Sequence, residues 1–247
     1  MELTKTGTPK GILYLVPTVL GDTSPEFVLP AGTIQILQSL EILIVEQIRT
    51  ARRLLSKIQI PRSIDSIQFF ELNKHTSSFE IKSFLDPILL GKSVGLLSEA
   101  GTPCVADPGA VIVELAHRLG IKVVPLTGPS SIILALMASG FNGQNFAFHG
   151  YLPIQAGERI TAIKSLEKNA MTTFQTQIFI ETPFRNLQLF DALVNNCHPE
   201  TLLCVAANIS CIDEFIQSRT IAVWRKNMPE IHKIPTVFLI WSQQKRL

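Results

Sequence analysis

The sequence is poor in several features that would assign it to a specialised class of protein. Its 247 residues include only four cysteines, and no two of them have the C-x-x-C spacing of a zinc motif. We therefore expect neither a disulfide framework nor a metal site. The longest apolar run near the middle, 132–138, is much shorter than the roughly 20 residues of a membrane-spanning helix. The first residues also lack a long apolar stretch, so we expect a cytoplasmic protein without a membrane partner.

Charged residues are scarce as well. They make up 17% of the chain, and the formal net charge is only +2, which is too weak to indicate a nucleic-acid binder. The cations are nevertheless concentrated in one stretch, at Arg49, Arg52, Arg53, Lys57 and Arg62. A helix there would present several of them on one side. This pattern predicts a phosphate-facing patch, and an ordinary solvated helix face is the alternative.

Signatures of the commonest enzyme classes are missing. The sequence contains no G-x-x-x-x-G-K-[ST], no G-x-G-x-x-G, no H-E-x-x-H and no G-x-S-x-G, and its five histidines are scattered. These absences disfavour nucleophilic, hydride-transfer and metal chemistry. They favour a ligand held by backbone groups and small residues, without obligatory charge.

Strand-like apolar runs alternate with helix-like segments along most of the chain. In the first half, the strand-like runs cover 12–16, 41–45, 67–70, 94–97 and 121–124. Continuous apolar strands are typical of parallel sheets covered on both faces, so we predict an α/β fold of two αβα domains. Proline and glycine interrupt the pattern between 125 and 129. We divide the chain into domains 1–126, with a mainly parallel sheet, and 127–247, with a mixed sheet.

Three turns follow strands of the first half, where parallel sheets bind ligands. They cover 17–23, 98–104 and 127–131. Ala100 and Gly101 carry little side-chain bulk, so a ligand can approach the main chain there. An ordinary turn is the alternative for each. After the second turn, Asp107 is predicted to cap a helix with Pro108 in its first position.

Five runs of sequence together resemble the tetrapyrrole methylase superfamily, and most closely its ribosomal RNA small-subunit methyltransferase I branch. They are G-I-L-Y-L-V-P-T-V-L-G-D, E-Q-I-R-T-A-R-R-L-L, L-L-S-E-A-G-T-P-C-V-A-D-P-G, V-V-P-L-T-G-P-S-S-I-I-L-A-L-M-A-S-G-F and F-H-G-Y-L-P. The resemblance implies S-adenosylmethionine bound in a cleft between two αβα domains, and a homodimer. It also implies methylation of a ribose 2′-hydroxyl in small-subunit ribosomal RNA.

The resemblance also implies which residues form the site. Cofactor contacts are expected from Pro17, Thr18, Ser98, Glu99, Ala100, Gly101, Thr102, Pro103, Cys104, Thr127, Gly128, Pro129, Ser130 and Ser131. The later E-T-P-F-R run resembles the family's E-S-P-H-R. Substrate contacts are therefore expected from Arg49, Arg52, Arg53, Glu181 and Arg185.

The proton acceptor is left open by the sequence. A ribose hydroxyl is a poor nucleophile, so a nearby base should assist it. The candidates are Glu46, Glu99, Lys74 and His75. An ion pair with Arg49 is the structural alternative for Glu46, and a hydrogen bond in the pocket wall is the alternative for Glu99. Lys74 and His75 could equally be solvated loop residues.

Departures from the family pattern keep two other functions open. The family's R-E-L-T-K is A-N-I-S-C at 207–211, so two cations and a carboxylate are absent there. Lost cations weaken phosphate contacts, whereas cofactor binding depends on backbone geometry. The alternatives are a methyltransferase acting on a tetrapyrrole or other small molecule, and a non-catalytic protein that binds the cofactor.

Overall fold

The computed structural model describes residues 9–73 and 75–242. Its contacts divide the chain after Pro129 into two compact units. In the first unit, one or two helices follow each strand up to the last. Its strands are β1 (Ile12–Val16), β2 (Ile42–Val45), β3 (Gln68–Glu71), β4 (Val94–Leu97) and β5 (Lys122–Pro125). Its helices are α1 (Pro25–Val28), α2 (Ala31–Ser39), α3 (Ile48–Lys57), α4 (Ser78–Ser83), α5 (Asp86–Leu89) and α6 (Ala110–Arg118).

The first sheet is parallel throughout the described residues and has the strand order β3-β2-β4-β1-β5. Successive side chains of a strand point to opposite faces, and both faces are covered here. Ile42 and Ile44 enter one apolar core with residues of α4, α5 and α6. Leu43 and Val45 enter a second core with residues of α2 and α3. The unit is therefore an αβα sandwich.

Local sequence signals explain where several of these helices lie. α3 buries Ala51, Leu54 and Leu55, whose spacing places them on one helical face. α4 begins with a capping box, in which the Ser77 hydroxyl accepts from the Glu80 N–H and the Glu80 carboxylate accepts from the Ser77 N–H. The amphipathic pattern of α3 leaves its other face in solvent.

The second unit is built around a mixed sheet. Its strands are β6 (Phe146–Tyr151), β7 (Thr176–Ile180), β8 (Leu202–Ala207), β9 (Phe215–Thr220) and β10 (Thr236–Trp241). Its helices are α7 (Ser131–Ser139), α8 (Ala156–Thr173), α9 (Asn186–Asn196) and α10 (Ile221–Trp224). Short 3-10 helices lie at Ile64–Ser66 in the first unit and Pro183–Arg185 in the second.

The second sheet has the order β6-β7-β10-β8-β9. β6 and β7 are parallel, and the remaining pairs are antiparallel. The main core of this unit joins the sheet to α8, α9 and α10. At its centre, the ring of Trp224 packs edge-on against Phe190, and its indole N–H donates to the Leu203 carbonyl oxygen at 2.8 Å.

The predicted fold of two α/β units, one parallel and one mixed, is confirmed. Single elements differ from expectation. The helical stretch between β3 and β4, which strict alternation of strands and helices would make one helix, is divided into α4 and α5 by a turn at Phe84 and Leu85. Across residues 9–73 and 75–242, no helix has both the length and the apolar composition needed to cross a membrane.

Candidate active site

The three turns predicted from sequence meet at the carboxyl edge of the first sheet. They follow β1, β4 and β5, which are adjacent in the order β4-β1-β5. The Thr18 N–H donates to the Gly101 carbonyl oxygen at 2.9 Å, which joins the first turn to the second. The Thr102 hydroxyl donates to the Pro129 carbonyl oxygen at 3.0 Å, which joins the second to the third. Strand order and turn chemistry thus act together to assemble this edge.

Glycine is required at two points where the turns touch. Gly101 has φ +73°, and a Cβ there would lie 2.7 Å from Leu20 Cδ2. A Cβ on Gly128 would lie 2.3 Å from Pro17 Cγ, closer than real Cβ contacts. The close approach between the first and third turns therefore depends on the missing side chain of Gly128.

The prediction that Asp107 caps the next helix is wrong. α6 begins at Ala110, with Gly109 as its N-cap. The Asp107 carboxylate instead accepts from the backbone N–H groups of Cys104 and Gly109, both at 2.7 Å. It therefore holds a tight turn in which Cys104 and Ala106 adopt left-handed φ angles of 68° and 61°. Burial and the charge of Asp107 raise the pKa of the Cys104 thiol to about 11.

A pocket of about 540 Å³ opens beside this edge, between the turns and α3. Thr18, Ser98 and Glu99 contribute its wall on the side of the turns, and Thr50, Arg53 and Lys57 contribute its wall on α3. Its size is typical of small-molecule sites. Thr18 is only 5% exposed, and its hydroxyl oxygen has no hydrogen-bond partner among the described residues. Buried hydroxyls are normally bonded, so this atom indicates a place for a ligand's polar group.

Two of the predicted proton acceptors lie together. The Glu99 N–H donates to Glu46 Oε1 at 3.4 Å, a long contact that links the ends of β2 and β4. Burial raises the pKa of the Glu46 carboxyl, the Glu99 N–H opposes this, and the charges of Asp107 and Glu99 add to the rise. The alternative of a Glu46–Arg49 ion pair is not among the ion pairs of residues 9–73 and 75–242.

The other two predicted acceptors are not at this pocket. His75 is exposed in the turn between β3 and α4, where its N–H donates to the Asn73 side chain at 2.8 Å. It does not line the 540 Å³ pocket. Lys74 lies outside the described residues.

The predicted cationic helix exists as α3, and its cations differ in their surroundings. Arg52 pairs with Asp65 at 2.5 Å, and Lys57 pairs with the exposed Asp22 at 2.9 Å. Arg49 and Arg53 are exposed. Arg49, Arg53 and Lys57 follow a spacing of four, so they occupy one face of the helix.

Glu181 and Arg185 form an ion pair in the second unit. The Arg185 guanidinium donates to Glu181 Oε1 at 2.6 Å, and the Thr182 N–H donates to the same oxygen, also at 2.6 Å. The Glu181 side chain is 1% exposed and that of Arg185 is 31% exposed. Burial acts to raise the pKa of Glu181, but the bonds from Arg185 and Thr182 outweigh it and leave the pKa lowered. Their role in substrate binding stays a prediction.

Sequence reasoning missed the pocket wall formed by α3. The cations were noticed as a patch, but their position over a cavity was not predicted. The spacing of Arg49, Arg53 and Lys57 next to the buried Ala51 and Leu54 was the available signal. Among residues 9–73 and 75–242, no group of three or more histidine, cysteine or acidic side chains is placed to hold a metal ion.

Several known proteins resemble this chain in sequence. The family described as tetrapyrrole (corrin/porphyrin) methylases matches residues 13–222. The ribosomal RNA small subunit methyltransferase I of Vibrio cholerae is 31% identical over 211 residues, which cover 85% of this chain and 69% of that protein.

Solved structures show the same fold. The methyltransferase CobJ superposes with a TM-score of 0.65 at 16% identity, covering 94% of both chains. A uroporphyrin-III C-methyltransferase from Thermus thermophilus, solved with S-adenosyl homocysteine, gives a TM-score of 0.60 at 16% identity, covering 94% of this chain and 97% of that one. At such low identity these two likenesses concern the fold.

Proposed function

We propose that this chain, which belongs to the tetrapyrrole methylase family and to its ribosomal RNA small subunit methyltransferase I branch, transfers a methyl group from S-adenosylmethionine to a ribose 2′-hydroxyl of small-subunit ribosomal RNA. The observation that carries the proposal is the assembled edge of the first sheet. There, three turns with little side-chain bulk are bonded to one another beside a pocket of about 540 Å³. A relative named ribosomal RNA small subunit methyltransferase I is 31% identical over 85% of this chain.

The residues at this edge fit the cofactor. A nucleoside with an uncharged base and two ribose hydroxyls is recognised by backbone groups and hydroxyls, without a phosphate cradle. Gly101 and Gly128 let the three turns pack closely together, and among the described residues the buried Thr18 hydroxyl in the pocket wall has no hydrogen-bond partner. We assign the cofactor to Pro17, Thr18, the turn 98–104 and the turn 127–131. When bound, it supplies an electrophilic methyl group.

The chain's own contribution is positioning and proton transfer. Holding the acceptor hydroxyl in line with the methyl group removes much of the entropic barrier. Glu99 lines the pocket, and we propose that its carboxylate accepts the hydroxyl proton. Glu46 accepts the Glu99 N–H and fixes the main chain from which that carboxylate projects. Glu46 is therefore a positioning residue in this scheme.

Replacing Glu99 by glutamine tests the assignment of the proton acceptor. Glu99→Gln keeps the size of the side chain but removes its basicity, so kcat should fall by about 100-fold or more. The dissociation constant of the cofactor, measured by calorimetry, should change little. A variant that keeps wild-type kcat between pH 6 and 9 would remove Glu99 from this role.

The proposed reaction is tested by methyl transfer from radiolabelled S-adenosylmethionine. The substrates are naked small-subunit RNA and assembled subunits from a strain that lacks this gene. We expect label in RNA, and we expect the labelled dinucleotide to survive alkaline hydrolysis, because a methylated 2′-oxygen cannot attack the neighbouring phosphate. Subunits from the parent strain, already modified, are the control and should accept little label.

Other outcomes would replace the proposal. Label in a tetrapyrrole but not in RNA would move the chain to a small-molecule substrate. Cofactor binding without turnover on either substrate would indicate a binding protein. We also propose that the protein acts as a homodimer in the cytoplasm. Light scattering of the purified protein should then give twice the mass of the chain.

A further inference from the structure

We propose that the pocket beside α3 receives one unpaired nucleotide of the RNA, with its sugar toward the turns and its phosphate toward Arg53 and Lys57. The proposal rests on the proposed function and names the subsite for the methyl acceptor. Every residue lining this pocket lies before Pro129, so the pocket belongs to the first unit alone.

The two walls of the pocket differ in chemistry. The turns, to which the cofactor is assigned, contribute Thr18, Ser98 and Glu99. Helix α3 contributes Arg53 and Lys57, which are exposed. An acceptor sugar must lie beside the cofactor, and a phosphate is attracted by cations. The two walls therefore match a nucleotide whose sugar faces the turns and whose phosphate faces α3.

Part of the pocket wall is apolar. Val19, Val45, Ala51, Leu54 and Leu97 form this part. An uncharged base can pack against such a surface only after it has left its stack in the RNA. Sequence-specific recognition of RNA generally uses unpaired nucleotides whose bases are exposed in this way. The pocket therefore favours a loop or an extruded nucleotide over a paired one.

A phosphate can replace the present partner of the cationic wall. Lys57 pairs with Asp22, whose side chain is fully exposed. Exposed ion pairs contribute little stability, so a phosphate can displace the carboxylate at small cost. Arg53 lines the same wall of the pocket, and Arg49 extends the cationic face of α3 by one helical turn. Arg52 is already bonded to Asp65 and does not line the pocket.

The first experiment removes charge. In the full chain, Arg53→Gln with Lys57→Gln is compared with Lys92→Gln with Lys122→Gln. The second pair is exposed and lies at the amino edge of the same sheet, away from the pocket. The probe is a short single-stranded RNA from the methylated region of small-subunit RNA, titrated at several salt concentrations. We expect the pocket variant to bind it about tenfold more weakly, with a salt slope reduced by about 1–2, and the control to lose much less.

The second experiment blocks the cavity. Thr50 and Ser56 line the pocket from α3 without belonging to its apolar core. Thr50→Phe and, separately, Ser56→Trp should lower kcat/KM for RNA by about 100-fold. The cofactor's dissociation constant should stay within about twofold. Circular dichroism and unfolding curves identify a variant that fails to fold, and the other variant then decides.

Failure of this inference can be told apart from failure of the proposed function. Equal weakening by the pocket pair and the control pair would overturn the nucleotide site, even if RNA is methylated. Weakened cofactor binding in both blocked variants would show that the cofactor occupies the pocket, and this would also overturn the nucleotide site. If the wild-type protein never labels RNA, the proposed reaction is rejected. The binding titration still tests whether the pocket holds a nucleotide.

Discussion

At the scale of single residues, the pKa values of a buried carboxyl group, Glu181, and a half-buried one, Glu46, shift in opposite directions. Glu181 is almost fully enclosed, but Arg185 and the Thr182 N–H hold its pKa below the usual value. Glu46 has no cation bonded to it among the described residues, and burial raises its pKa. The partner, rather than the depth of burial, decides the sign of the shift.

Removing the partner of Glu181 should destabilise the protein in a pH-dependent way. Because the folded-state pKa is depressed, the pair stabilises the fold above the unfolded pKa of about 4.5 and loses this effect as pH falls through the folded value. Arg185→Met should lower the free energy of unfolding by about 1–3 kcal/mol at neutral pH. Urea titrations at pH 7.5 and pH 4 measure the change. Glu181→Gln/Arg185→Met is the control and should recover part of the loss, while an equal loss at both pH values would contradict the argument.

Glu46 should show the reverse dependence. Its folded-state pKa is raised, so the folded protein retains the proton more tightly than the unfolded chain does. The associated stability is fully present below the unfolded pKa and is lost as pH rises through the folded pKa. Glu46→Gln should therefore gain stability relative to wild type as pH rises from 4 to 7. Paired thermal unfolding curves measure this, and a difference that does not vary with pH would refute it.

At the scale of elements, the sequence predicted those whose residues follow one dominant pattern. The apolar runs of β1, β2 and β4 could be assigned because both faces of the first sheet are buried. β9 carries no apolar strand signal, because Gln217, Ser218 and Arg219 interrupt any apolar run, and its place at the sheet edge follows from pairing with β8. The N-cap at Asp107 was wrong because its carboxylate bonds backbone groups within the preceding turn.

The same reasoning explains how much of the site could be foreseen. The turns after β1, β4 and β5 stood out because small and rigid residues follow buried strands. The pocket did not, because it depends on which face of α3 turns toward those strands. That orientation is set by the packing of Ala51, Leu54 and Leu55. The spacing of apolar residues identifies the buried face of a helix, but it does not show which part of the protein that face packs against.

Adding one methyl group at the junction of the turns tests their role. Gly128→Ala would force Cβ against the Pro17 ring, so we expect a loss of about 1–3 kcal/mol in stability and weaker cofactor binding. Gly32→Ala is the matched control in the same unit, since a Cβ there meets nothing within 4 Å. That variant should be as stable as wild type or up to about 1 kcal/mol more stable. Calorimetry and urea unfolding measure both effects, and normal cofactor affinity in Gly128→Ala would show that the junction is dispensable.

At the scale of the whole molecule, thiols that are buried or partly buried occur in both units. Burial raises the pKa of Cys204 to about 11 and that of Cys197 to about 12 in the second unit. Cys104, with a pKa of about 11, lies in the first unit. Thiolates are the reactive form, so these cysteines should react slowly at pH 8 until the chain around them opens.

Labelling of Cys104 should report cofactor binding. The cofactor is assigned to the turn that contains this residue, so a concentration 100 times its dissociation constant should stabilise that turn by about 2.7 kcal/mol. Labelling that requires opening should then slow by about 100-fold. Mass spectrometry after alkylation gives the rate for each cysteine, and methionine alone is the control. A rate for Cys104 that is unchanged at saturating cofactor would place the cofactor elsewhere.

The position of Trp224 at the centre of the second core has a practical consequence. The sequence contains two tryptophans, and the other, Trp241, ends β10 in the same unit. Indole emission therefore monitors only the half of the chain after Pro129. A thermal unfolding curve followed by tryptophan fluorescence would not detect unfolding of the first unit. A tryptophan introduced before Pro129 would make that hidden transition visible.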